Sequence, residues 1–141
     1  MNGTAPLYGL VLAGGASRRM GRDKATLEYR GRSQVAIAFD LVSRHCKRAF
    51  VSLRPDQTND PARATLPQIV DEIVDVGPIA GIAAAQAAYP EAAWLVVACD
   101  LPFLDDDAIA RLLAARGAHA IVAYRSAHDG LPEPLCAIYE P

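Results

Sequence analysis

At 141 residues the chain has the length of one domain, enough for a single core and too little for two. Its formal net charge of −2 excludes a basic field that would draw nucleic acid without sequence preference. No apolar run is long enough to span a membrane, and the N-terminus has no charged stretch followed by an apolar one, so the sequence reads as cytoplasmic, with neither a membrane nor a nucleic acid among its partners.

Apolar runs of strand type alternate with helical patterns along the chain. That alternation predicts an α/β fold with a mostly parallel sheet and helices on both faces. A first strand is expected over residues 7–12, and a helix over 34–46 with Val35, Ile37, Ala38, Leu41 and Val42 on its inner face. Strands follow at 49–53 and 68–70, separated by a loop rich in Pro, Asp, Asn and Thr. Gly77-Pro78 opens a second helix, proline standing in the first turn where a missing N–H costs nothing, and Tyr89-Pro90 ends it. Residues 94–98 form an unbroken apolar run of the kind buried on both faces. A helix over 105–115 begins with three aspartates at its positive end, which favours capping. Strands at 118–123 and 135–139 complete the series. No helix follows the last strand, so its apolar side chains are expected to be partly exposed, a surface that favours self-association.

The first strand empties into Ala13-Gly14-Gly15-Ala16-Ser17-Arg18-Arg19-Met20-Gly21-Arg22-Asp23-Lys24. Gly14 and Gly15 allow close backbone approach to a ligand, with N–H groups able to face anionic oxygens. Of the two lysines in the chain, one is Lys24, a compact charge suited to a phosphate. The spacing is neither that of a Walker A loop, whose lysine directly follows its second glycine, nor that of G-x-G-x-x-G. The plain alternative is a glycine-rich turn with solvated arginines.

Strands of a parallel sheet all point one way, so residues just past their ends gather along one edge. The Gly14 loop, Asp71 and Asp100 each follow a strand, and they therefore converge. Asp100 lies just past the buried run 94–98, with Pro102 fixing the chain beyond it; one carboxylate with phosphate oxygens and waters suits Mg²⁺. Capping of the next helix is the competing role, but Asp105, Asp106 and Asp107 are available for that. Asp71 could equally be a solvated loop charge. The three cysteines, Cys46, Cys99 and Cys136, lack CxxC spacing and read as buried thiols, not as a disulfide framework or a zinc site. His45, His119 and His128 show no ligand spacing and read as surface or helix-end residues. Trp94 and Phe103 read as core.

Residues 12–24 match every fixed position of the signature L-A-G-G-x-S-x-R-M-G-x-D-K, and so resemble the molybdenum cofactor guanylyltransferases of the MobA type. Asp71 with Gly77-Pro78-Ile79-Ala80-Gly81 looks like the family's aspartate and G-P-L-A-G element. Cys99-Asp100-Leu101-Pro102-Phe103 is similar to its C-D-x-P-F motif, and Pro134-Leu135-Cys136-Ala137-Ile138-Tyr139 to its P-L-x-A-L-Y strand. The resemblance implies a three-layer, Rossmann-like nucleotidyltransferase fold. It also implies transfer of GMP from GTP to molybdenum-bound molybdopterin, with Mg²⁺ as cofactor. Leu12, Ala13, Gly14 and Gly15 would then lie against the nucleotide, Leu12 to Gly14 offering backbone groups to the base. Arg19 and Lys24 would act on the leaving phosphates, Asp71 would contact GTP, and Asp100 would bind metal and nucleotide. Gly81 would let its helix pack closely on the sheet or the ligand.

The sequence departs from that family in three places. Ser33-Gln34 stands where proline and an aliphatic residue are frequent. Ser52-Leu53-Arg54 stands where many members carry an asparagine that contacts GTP. The family's N-x-N-T-P segment, which helps to bind the pterin, would lie beyond Pro141. An acceptor-binding C-terminal part is therefore expected to be missing, and the chain is expected to bind GTP while turning over poorly. Cytidylyltransferases of the same fold usually read L-A-A-G where this chain reads Leu12-Ala13-Gly14-Gly15, so the second glycine favours guanine. A non-catalytic nucleotide-binding module is the alternative of a different class.

Overall fold

The computed structural model describes residues 5–12, 28–29, 32–53, 67–70, 78–98, 105–116, 120–125 and 132–141. In chain order the elements are β1 (Leu7–Leu12), β2 (Glu28–Tyr29), β3 (Arg32–Ser33), α1 (Gln34–Ser43), β4 (Arg48–Leu53), β5 (Gln68–Val70), α2 (Pro78–Ala88), β6 (Ala93–Ala98), α3 (Asp106–Ala114), β7 (Ile121–Arg125) and β8 (Pro132–Tyr139). Six strands form one sheet in the order β5-β4-β1-β6-β8-β7, while β2 and β3 pair separately. β1 runs parallel to β4 and β6, and β4 parallel to β5. β8 is antiparallel to both β6 and β7.

Period-two alternation sorts the side chains of the sheet into two layers. Leu7 and Val11 of β1, Ala49 and Val51 of β4, Leu95 and Val97 of β6, and Cys136 and Ile138 of β8 face α1 and α3. Val35, Ala38, Leu41 and Val42 of α1 and Ile109 and Leu112 of α3 close this layer. On the other face Leu10, Phe50, Ile69, Trp94 and Val96 pack against Ile82 and Ala85 of α2. The result is the three-layer arrangement expected from the pattern of elements, with helices on both faces of a mostly parallel sheet. β6, at the centre, is buried at every position, as its unbroken apolar sequence requires. The inner face read for α1 is buried apart from Ile37, which is half-buried.

Helix ends follow their local chemistry. Pro78 opens α2, and Asp105 caps α3 by accepting a 2.8 Å hydrogen bond from the Ala108 N–H. α1 ends at Ser43, three residues short of the expected boundary. The turn after it carries Arg44 and His45, which both reach Asp106 at the start of α3, with Arg44 Nη2 at 3.1 Å and His45 Nε2 at 2.7 Å. Hydrogen bonds from Arg44 and His45 hold the Asp106 carboxyl below its ordinary range. This contribution to stability is present above the ordinary carboxylate range and lost as pH falls through the lowered value; full exposure of the carboxyl keeps it small. Arg116, just past α3, donates to both Glu140 oxygens at 2.8 and 3.0 Å and to the Ala5 carbonyl at 3.1 Å. One half-buried guanidinium thus joins the ends of β8 and α3 to the segment that leads into β1.

The expectation of a partly exposed C-terminal strand fails at the strand's centre, while Tyr139 is half-buried. Cys136, Ala137 and Ile138 are 0% exposed, because β8 inserts between β6 and β7 and the preceding helix, α3, covers one face of it. The apolar patch that would have favoured self-association through this strand is therefore absent from these residues. Among the described residues the one large apolar side chain left exposed is Ile121, on the edge strand β7. The thiols read as buried are so at Cys136 and largely so at Cys46, where burial pushes the thiol pKa up to about 12 against a weaker opposing pull from Arg116. Cys99, His119, His128 and Phe103 lie outside the described residues.

Candidate active site at the carboxyl edge of the sheet

From β1 the chain moves outward to β4 and then β5 on one side, and afterwards returns to place β6 on the other side of β1. The strand order reverses between β1 and β6, and the crevice beyond the carboxyl ends of such a pair is where ligands bind in open α/β sheets. Registers Leu12↔Ala98 and Leu12↔Ser52 bring the ends of β6, β1 and β4 level. Leu53↔Val70 does the same for β4 and β5. Three strand spacings of about 4.8 Å put the ends of β5 and β6 roughly 14 Å apart, with β1 between them.

The covalent chain leaving these ends carries the candidate residues. After Leu12 come Ala13, Gly14 and Gly15 and then Arg19 and Lys24; after Val70 comes Asp71; two residues after Ala98 comes Asp100. Of this set Leu12 belongs to the described residues: it is the last residue of β1, half-buried, with its side chain packed on the α2 layer. A backbone role toward a base fits that placement, since the side chain is committed to the core. Ala13, Gly14, Gly15, Arg19, Lys24, Asp71 and Asp100 lie outside the described residues. The described strands bring their points of departure to one edge.

At that edge α2 comes unusually close to the sheet. A Cβ at position 81 would collide with Ser52 Oγ and stand 3.1 Å from Leu12 Cδ2 and 3.4 Å from Ser52 Cβ. A side chain at position 81 would thus require Ser52 Oγ to move, so close packing on the sheet, one of the two reasons anticipated for glycine there, is met. Ser52 is the one polar residue in the buried class among the described residues, 4% exposed. Sequence reasoning saw in it only a departure from a family asparagine. The signal that could have marked it is a lone hydroxyl within Phe50-Val51-Ser52-Leu53. Also missed was the small pairing of β2 with β3, whose register Tyr29↔Arg32 leaves Arg30-Gly31 as a two-residue connection.

Ion pairs joining different elements among the described residues, Arg44 and His45 with Asp106 and Arg116 with Glu140, lie toward the amino end of β1. The contacts Lys47 N–H to Leu7 carbonyl and Arg116 to Ala5 carbonyl fix them there. His45 is thus a helix-end residue, as read. One edge of the sheet is pinned by charge pairs, and the other is where the glycine loop and the two aspartates leave.

Among the described residues no group of three or more His, Cys, Asp or Glu side chains could hold a metal. No helix among the described residues is long and apolar enough to cross a membrane.

Comparison with known proteins agrees with this architecture. The chain is 42% identical over 137 residues to a molybdenum cofactor biosynthesis bifunctional protein of Synechocystis, covering 96% of this chain and 40% of that one. It is 39% identical over 138 residues to a probable molybdenum cofactor guanylyltransferase of Opitutus terrae, covering 94% and 66%. The chain thus spans less than half of the first relative and about two thirds of the second. Among solved structures it is similar to the molybdopterin-guanine dinucleotide biosynthesis protein A of Archaeoglobus fulgidus, with 26% identity, a TM-score of 0.70, and 94% and 67% of the two chains covered. It shares its fold with Rv0371c of Mycobacterium tuberculosis, at 22% identity and a TM-score of 0.75. The family model of the MobA-like NTP transferase domain matches residues 9–141, and the chain belongs to that family.

Proposed function

We propose that this domain transfers GMP from GTP to the terminal phosphate of molybdenum-bound molybdopterin, forming the guanine dinucleotide cofactor. The acceptor phosphate oxygen bonds to the α-phosphorus, the α–β phosphoanhydride bond breaks, and pyrophosphate leaves. The observation that carries this reading is the reversal of strand order between β1 and β6, with the glycine loop leaving one strand and Cys99-Asp100 leaving its neighbour. The names of the Opitutus and Archaeoglobus proteins support the same chemistry, and that of the Synechocystis protein supports a part in molybdenum cofactor biosynthesis.

In this reading the backbone of Leu12, Ala13 and Gly14 binds the base, and Gly15 admits the phosphates. Arg19 and Lys24 stabilise charge on the β- and γ-phosphates as they depart, a role in which preorganised cations act most strongly. Asp71 orients GTP from the end of β5. Asp100 would hold Mg²⁺, whose charge polarises phosphate oxygens when bound. The reaction needs no covalent enzyme intermediate, and the site is read as cytoplasmic.

Guanine is favoured over cytosine by Gly14, which stands where cytidylyltransferases of this fold usually carry the second alanine of L-A-A-G. GTP with Mg²⁺ is expected to raise the melting temperature more than CTP, ATP or UTP does, because a ligand of the native state stabilises it by mass action. Thermal unfolding with each nucleotide at equal concentration checks this. A preference for CTP would reassign the domain to cytidylyl transfer.

A further inference from the structure

Gly81 is the fourth residue of α2, and the sheet atoms nearest it belong to Leu12 and Ser52, which pair with each other where β1 ends. A close helix-to-sheet approach therefore lies at the point where the glycine loop leaves β1. Further along α2, Ile82 and Ala85 make ordinary core contacts with the same face. The small residues Ala80 and Gly81 are both buried, and at Gly81 the helix rests on the side chains of Leu12 in β1 and Ser52 in β4.

We propose that Ser52 is a positioning residue for the nucleotide: with Gly81 it forms the seat that sets how close the start of α2 lies to the end of β1. The proposal rests on the nucleotidyl-transfer reading above. Seven residues, 71–77, connect Val70 of β5 to Pro78 of α2, and Asp71 is the first of them. The seat holds the α2 end of that segment, and β5 holds the other. A helix pushed outward at Gly81 carries its end of the segment away from the crevice and moves the first-turn N–H groups, which have no partner within the helix. Displacements of about 1 Å in positioning elements are enough to degrade a site. Ser52 thus acts through α2 without touching the substrate.

The test is a double-mutant cycle read in the dissociation constant for GTP with Mg²⁺, alongside thermal unfolding. Gly81→Ala should weaken binding on the order of tenfold, within the span of couplings measured for residues in contact. Gly81→Ala combined with Ser52→Ala, which removes the obstructing hydroxyl, should recover most of that loss at temperatures where both variants are folded. Ser52→Thr, which crowds the seat from the strand side with one methyl group, should weaken binding in the same direction and serves if Gly81→Ala does not fold. Unchanged affinity in Gly81→Ala, or in Ser52→Thr, would overturn the proposal. A Gly81→Ala loss that Ser52→Ala does not relieve would also overturn it, placing glycine against the nucleotide instead. If the parent chain binds no GTP, the functional reading itself fails and takes this proposal with it; binding by the parent with no coupling between the two positions removes the proposal alone.

Discussion

Lys24→Ala, in a full-length enzyme that carries this domain, is expected to lower turnover on the order of a hundredfold to a thousandfold, while GTP binding weakens much less. The charge on the β- and γ-phosphates of bound GTP grows as the α–β bond breaks, so a fixed cation interacts more strongly with departing pyrophosphate than with ground-state nucleotide. Lys24 is one of two lysines in a chain whose basic charge is otherwise arginine, and it closes the loop that leaves β1 at the reversal of strand order. Pyrophosphate release with GTP, Mg²⁺ and molybdenum-loaded molybdopterin gives the rate, and a separate titration gives the affinity. Equal losses in both would make Lys24 a uniform phosphate anchor with no particular part in the chemical step.

Trp94 offers the largest expected effect on stability. It is 0% exposed as the second residue of β6 and stands against the rings of Tyr8, Phe50 and Tyr89, at centroid distances of 5.6, 5.9 and 6.0 Å. Arg48 covers the group from the surface, its guanidinium 5.1 Å from the Phe50 and Tyr89 centroids. Trp94→Ala should cost about 3–5 kcal/mol through lost contacts and the cavity left behind. For a domain stable by about 5–15 kcal/mol that is a large share. Trp94→Phe is a different case, because the buried indole Nε1 has no hydrogen-bond partner among the described residues. Removing an unpaired buried donor recovers roughly 1–3 kcal/mol of desolvation, which offsets much of the lost volume. Chemical denaturation of both variants checks the contrast. A phenylalanine variant as unstable as the alanine one would show that the indole N–H is satisfied in solution, by water for instance.

The layers and the edge that carries the motifs were legible in the sequence because each follows from local pattern and from the shared direction of parallel strands. The apolar run of β6, the inner face of α1, Pro78 at the start of α2 and the aspartate cap of α3 are consequences of burial and of backbone chemistry within a few residues. What depended on distant partners was not legible. The strand at 135–139 looked uncovered because nothing follows it, yet α3, which precedes it in the chain, closes over Cys136 and Ile138. That β8 runs against its neighbours is set by its connection to β7, which periodicity does not reveal. The Ser52–Gly81 seat joins residues 29 positions apart, and the Arg116–Glu140 pair residues 24 apart. Leu12 was read as a site residue by resemblance, and it is the last residue of β1, where the strand order reverses. Asp71, Asp100 and the glycines were read from their places past strand ends as well as by motif, and Arg19 and Lys24 from the loop's sequence; the described strands determine only where the chain departs toward them.

The central claim is that the segments leaving β1 and β6 build one magnesium-dependent GTP site. Calorimetric titration of GTP into the parent chain and into Asp100→Ala, each with and without Mg²⁺, tests it most directly. The parent should bind GTP more tightly with Mg²⁺. Asp100→Ala should lose that magnesium-dependent gain while still unfolding cooperatively, since the residue lies past the end of β6 and outside its buried span. An Asp100→Ala variant whose GTP binding gains from Mg²⁺ as much as the parent's does would contradict the claim.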